Sequence, residues 1–141
     1  LVANQLQFGI KHTEMIDQGF HVNMSDAPAV DRDGEILEYS RLNDMTIQAW
    51  SPYQYGFFEG VFIGHVKFPE LNKTLHEMAL KYDTTPTGIA SAWILRHPSN
   101  MQVIAGTMNL KRIREISQAS TIVLSRKDWY AIYLAAGNIF P

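Results

Sequence analysis

Met101-Gln102-Val103-Ile104-Ala105-Gly106-Thr107-Met108-Asn109-Leu110-Lys111-Arg112 is a strand running through a short turn into a helix. The apolar run of 101–105 stops at Gly106-Thr107. Asn109 then stands where a helix N-cap belongs, ahead of Leu110, Ile113 and Ile116 at helical spacing. Upstream, a second apolar run over 45–50 is stopped by Ser51-Pro52, because proline lacks the N–H that a central strand donates. A third run over 2–7 ends near Gly9.

Between these strands the apolar residues follow a helical period. Leu71, Leu75, Met78 and Tyr82 form one stripe, which predicts a helix over 70–82. Thr85-Pro86 opens another over 86–97, with threonine as N-cap and proline at the first helical position. Further helices are expected over 35–42, 109–119 and 126–136. The last begins at Ser125-Arg126-Lys127-Asp128, which resembles a capping box, and ends before Gly137 as a C-terminal cap. The breaker-rich segment up to Gly34 (Gly19, Asn23, Ser25-Asp26, Pro28) is read as loop, and the aromatic, glycine-rich stretch 53–68 as an ordered loop over a site. Strands alternating with helices predict right-handed βαβ units and a parallel sheet.

Composition narrows the function. Over 141 residues, 46% are hydrophobic and 18% charged, the profile of a folded globular chain, read as a single partial domain spanning 1–141. A net charge of −2 offers nothing to nucleic acid or an anionic membrane, and no window approaches a membrane span. The absence of cysteine excludes disulfides and thiolate metal sites and fits a cytoplasmic setting. The chain starts inside an apolar run at Leu1-Val2-Ala3, so it is expected to be a piece of something longer.

Three groups of residues carry candidate chemistry. At Gly106-Thr107, a glycine lets an anion approach the backbone at a helix N-terminus, Thr107 adds a hydroxyl, and Lys111, Arg112 and Arg114 concentrate positive charge. An ordinary capped turn with solvated basic residues has the same spelling. At Trp50-Ser51-Pro52, the carboxyl end of a parallel strand carries an aromatic ring that either stacks a flat heteroaromatic ligand or belongs to the core. At Asn4-Gln5, a strand amide either satisfies neighbouring backbone or recognises a carboxamide. The five histidines show no metal-ligand spacing, and no acid/base pair stands out.

In this order, the three groups resemble the last three βα units of the aldo/keto reductases, over nearly the whole chain. The resemblance is nearest to a bacterial subgroup with tryptophan in place of the stacking tyrosine. It implies the C-terminal part of a (β/α)8 TIM barrel and an NADP(H) cofactor, with NAD(H) second. Gln5 would hold the nicotinamide carboxamide, and Trp50, followed by Ser51, would stack on its ring. With Gly106 in the phosphate and adenosine clamp, Thr107 and Arg112 would hold the 2′-phosphate region and Glu115 would face the adenine amino group. The chain departs from the family pattern at Gly106 (often lysine), Ile116 (often asparagine) and Tyr53-Gln54 (usually Leu-Gly). The family's catalytic Asp, Tyr, Lys and His come from earlier strands and do not map here, so no catalytic residue is expected.

The expectation is therefore the cofactor-binding part of a carbonyl-reducing oxidoreductase. The alternatives are a regulatory subunit on the same fold and a cofactor-free α/β interaction domain. Val2, Leu6, Ile47, Val103 and Ile104 belong to strands that a barrel covers on both faces. The expected partners are thus the rest of the barrel or a second copy, plus a small carbonyl substrate in the whole enzyme.

Overall fold

The computed structural model describes residues 1–57 and 59–141. Strands β1 (Ala3–Gln7), β2 (Thr46–Trp50) and β3 (Met101–Val103) form one sheet in the order β1-β2-β3. Both pairings are parallel, with Gln5 opposite Gln48 and Gln48 opposite Gln102. The connecting helices are α1 (Glu14–Phe20), α2 (Ile36–Leu42), α3 (Pro69–Lys81), α4 (Pro86–Leu95), α5 (Leu110–Gln118) and α6 (Arg126–Ala135). Consecutive parallel strands joined through helices, in this order, fit the partial (β/α)8 barrel that the resemblance implies.

Side chains alternate along a strand, so the sheet has two distinct faces. One carries Ile47 and Ala49, both fully buried, and meets a core built around Trp93, Leu75 and Ile132. α4 lies deepest. It is buried from Gly88 through Ile94, nearly all round, as expected of a helix sandwiched between a sheet and other helices. The other face carries Gln5, Gln48 and Gln102, and the amide of Asn100 donates to Thr46 Oγ1 at 2.8 Å. Of the apolar strand residues, Ile47 is fully buried, and Leu6 and Val103 pack partly on the core. Val2 is exposed, and Ile104 is half-buried. The face without helices is thus largely polar.

Four expectations change. The segment read as loop before Gly34 contains α1, whose Met15 and Ile16 are buried and whose Phe20 packs edge-on against Tyr133 at 5.3 Å. Tertiary packing overrides the weak local signal of a seven-residue helix containing Gly19. β3 ends at Val103 rather than 105, although Ile104 N–H still bonds the Ala49 carbonyl at 3.0 Å. α4 stops at Leu95, with Arg96 as C-cap. Finally, the capping box at α6 is only half made. Ser125 Oγ accepts from Asp128 N–H at 3.1 Å, but the Ser125 N–H goes to the Tyr82 hydroxyl. The Asp128 carboxylate is occupied instead by Lys81, Tyr82 and the Ser125 hydroxyl. Burial alone would raise its pKa, but these three partners outweigh burial and hold it at about 2. The other caps are as predicted: Thr85 accepts from Gly88 N–H, Asn109 from the N–H groups of Lys111 and Arg112, and Gly137 takes a left-handed φ of 91° just past α6.

Candidate functional site

β2 leaves the sheet through Ser51-Pro52, and two features fix that exit. Gly9, just after β1, lies so close that a Cβ there would sit 2.3 Å from the Pro52 carbonyl oxygen. Ser51 holds a left-handed φ of 48°, uncommon for a residue with a side chain and a frequent mark of ligand sites. The loop that follows is tied down by Asn72 of α3. Its Oδ1 accepts from Gly64 N–H at 2.6 Å, and its amide donates to the carbonyls of Phe62 and Phe68. This is the ordered loop expected over 53–68; Phe58 within it lies outside the described residues.

Under this loop, beyond the carboxyl ends of β2 and β3, lies a cavity of about 330 Å³. Ser51, Tyr53 and Gln54 wall it on one side, and Gly106, Thr107 and Arg112 on the other. Ligands of parallel α/β folds sit at this end of the strands. The backbone N–H groups of Gly106, Thr107 and Met108 have no hydrogen-bond acceptor among the described residues. Thr107 Oγ1 accepts from Asn109 N–H at 3.2 Å, which leaves its hydroxyl proton to donate. Lys111, Arg112 and Arg114 have no ion-pair partner among the described residues, and the first turn of α5 holds no acidic side chain. A Cβ at Gly106 would meet nothing within 4 Å, so the chain's own packing does not require glycine there. Free donors, uncompensated cations and an open approach together suit an anion.

The seven residues singled out in the sequence fall into two places. Ser51, Gly106, Thr107 and Arg112 line the cavity. Glu115, half-buried on α5, lies close enough to influence the Tyr53 hydroxyl. Gln5 and Trp50 are not in the cavity wall. They share the polar sheet face, where Gln7 is the register partner of Trp50, and the step from Trp50 to Ser51 joins that face to the cavity.

Sequence reasoning missed part of the wall. Thr87 and Ile63 line it, as does Ile104. So does Tyr53, whose hydroxyl is 2.6 Å from Ser91 Oγ. Because Ser91 donates its one proton to the Thr87 carbonyl at 2.7 Å, Tyr53 must be the donor to Ser91. Burial pushes the Tyr53 hydroxyl up to about 12, and the Glu115 carboxylate adds to the rise. A tyrosine held this way builds the wall and is a poor proton donor. Thr87 had a signal, since it follows the Thr85-Pro86 cap and so sits in the first turn of α4.

The sequence matches the aldo/keto reductase family over residues 20–134. The chain belongs to that family. It is 28% identical over 137 residues to a 6-dehydroglucose reductase of Agrobacterium fabrum, covering 96% of this chain and 39% of that protein. A probable aldo-keto reductase of Glycine max is 28% identical over 124 residues, covering 74% of this chain and 36% of its own length. Among solved structures, the thermostable aldo-keto reductase Tm1743, bound to the inhibitor epalrestat, superposes with a TM-score of 0.63 at 23% identity. That match covers 96% of this chain and 40% of Tm1743. A Gox0644 variant in complex with NADPH superposes at 0.57 with 19% identity, covering 95% of this chain and 38% of that one. Aldo/keto reductases are oxidoreductases, and the family fold agrees with the parallel sheet described above. The chain spans about two fifths of the length of these relatives. No helix among the described residues is long and apolar enough to cross a membrane.

Proposed function

We propose that this chain is the cofactor-gripping C-terminal part of an NADP(H)-dependent oxidoreductase that reduces a carbonyl compound to an alcohol. The observation that carries the reading is the cavity that gathers Ser51, Gly106, Thr107 and Arg112 beside three backbone N–H groups with no acceptor among the described residues. Arg112, the Thr107 hydroxyl and these N–H groups would bind the phosphate of the adenosine end, with Glu115 accepting from the adenine amino group. Trp50 would stack on the nicotinamide ring, and Gln5 would bond its carboxamide. When bound, the reduced nicotinamide supplies the hydride. Arg112, without an ion-pair partner among the described residues and with Lys111 and Arg114 on the same helix, favours the extra phosphate of NADP(H) over NAD(H). Proton delivery to the carbonyl oxygen falls to residues outside this chain, since Tyr53 is bound to Ser91 and hard to ionise. The outer edges of β1 and β3 are where further barrel strands, or a second copy, would pair. The cysteine-free composition is consistent with work in the cytoplasm.

The test uses the full-length protein. A charge-assisted phosphate contact contributes about 1.5–3 kcal/mol, so Arg112→Glu should weaken NADPH binding by at least about tenfold and NADH binding far less. Trp50→Ala should weaken both cofactors alike, because both carry the same ring. Equal losses for NADPH and NADH on Arg112→Glu would remove Arg112 from the 2′-phosphate site.

A further inference from the structure

The polar sheet face holds an ordered chain of amides. The parallel register sets Gln5, Gln48 and Gln102 side by side on three strands. Gln5 Nε2 donates to Gln48 Oε1 at 3.1 Å, and Gln48 Nε2 donates to Gln102 Oε1 at 3.1 Å. The direction of these bonds has a consequence. With one N–H given to Gln48, Gln5 keeps its carbonyl oxygen and its second N–H, neither of which has a partner among the described residues. Were the chain of bonds reversed, Gln5 Oε1 would be turned towards Gln48 and both N–H groups of Nε2 would face a ligand instead.

We propose that Gln48, itself held by Gln102, is a positioning residue that fixes the end-for-end orientation of the Gln5 carboxamide, so that Gln5 Oε1 faces the amino group of a bound nicotinamide amide. The proposal rests on the cofactor reading above. Glutamine's terminal torsion is broad and roughly two-fold, so an untethered Gln5 would populate both orientations. A nicotinamide carboxamide has a distinct donor end and a distinct acceptor end, and only one orientation of Gln5 accepts from its amino group. Cross-strand neighbours on a barrel interior are usually bulky and branched, and such side chains would leave Gln5 unoriented. In this chain Gln48 is half-buried, and Gln5 and Gln102 are exposed.

The experiment compares dissociation constants for three ligands on the full-length protein: NADPH, its reduced 3-acetylpyridine analogue, and adenosine 2′,5′-bisphosphate. The analogue lacks the carboxamide amino group but keeps the ring and its charge. The bisphosphate lacks the nicotinamide altogether. Wild type should prefer NADPH over the analogue by about 3–10-fold, the range of one neutral hydrogen bond. Gln48→Leu should bring that ratio close to one while leaving the bisphosphate constant unchanged. Gln48→Glu, which accepts the Gln5 N–H as Gln48 does, should restore it. Reading a ratio cancels the effect of the new charge, because both dinucleotides carry the same ring. A purely structural role for the amide chain would lower stability without moving the ratio, and that result would overturn the proposal. So would a wild-type ratio near one, or loss of the ratio in Gln48→Glu. Failure of the wild type to bind the bisphosphate would instead overturn the cofactor reading on which the proposal rests.

Discussion

Replacing Trp93 and Trp129 by phenylalanine, singly and together, probes what locks α4 to α6. The two indoles stack with centroids 4.5 Å apart and planes 8° from parallel. Each ring N–H donates to the other residue's backbone carbonyl, Trp93 to Trp129 at 3.0 Å and Trp129 to Trp93 at 2.9 Å. Trp93 is fully buried and Trp129 nearly so. A single Trp→Phe change removes one neutral hydrogen bond, about 1 kcal/mol. The smaller ring also leaves a void of about 40 Å³, which at about 24 cal/mol per Å³ adds about 1 kcal/mol. Counting the ring stack, about 0.5–1.5 kcal/mol, each single variant should therefore lose about 2.5–3.5 kcal/mol. Both acceptors are main-chain carbonyls that survive substitution of the partner, so the bond losses should add. Only the ring stack couples the two sites, by about 0.5–1.5 kcal/mol. The double variant, which loses the stack only once, should thus cost about 4.5–5.5 kcal/mol, less than the sum of the singles. Urea denaturation followed by far-ultraviolet circular dichroism measures this without relying on tryptophan fluorescence. Single losses below about 0.5 kcal/mol, or strict additivity, would refute this account of the pair.

Gly9→Ala should destabilise the protein by about 1–3 kcal/mol, because the new methyl would collide with the Pro52 carbonyl backbone rather than with a flexible side chain. The same shift should weaken cofactor binding through Trp50-Ser51-Pro52, and a thermal midpoint equal to wild type would contradict it. His21 is 1% exposed and bonds Asp26 at 2.7 Å through Nδ1 and the Ile139 carbonyl at 2.9 Å through Nε2, so both ring nitrogens carry protons in this arrangement. The Ile139 carbonyl, with Asp26, raises its pKa. A raised folded-state pKa means the anchoring of the C-terminal tail is complete below the ordinary value of about 6.5 and is lost as pH rises through the raised one. Amide exchange at 138–140, corrected for its intrinsic pH dependence, should therefore lose protection on the alkaline side. In His21→Gln that pH dependence should vanish, and a wild-type profile in the variant would exclude His21 as the cause.

What could be read in advance depended on how far apart the cooperating residues lie in the chain. The strands were legible because each apolar run is stopped locally, by Gly9, by Ser51-Pro52 or by Gly106. The helices α4, α5 and α6 were legible from their own caps, Thr85, Asn109 and Ser125. α1 was not, because its helical state depends on Phe20 meeting Trp129 and Tyr133, more than a hundred residues away, and nothing within Glu14–Phe20 announces that contact. Local spacing places Asp128 at its own helix start, but its carboxylate is shared between the Ser125 hydroxyl there and Lys81 and Tyr82 at the neighbouring α3 end. The site divides in the same way. Gly106, Thr107 and Arg112 follow one another at a single turn, and the fold keeps them together with Ser51. Gln48 and Gln102 each look like a stray polar residue in an apolar strand, and only the parallel register turns them into neighbours of Gln5. A slip of one residue in either pairing would send its amide to the covered face, beside Ile47 and Ala49, where it would lack a partner. The buried face therefore holds the register, and the register in turn builds the amide chain on the other face.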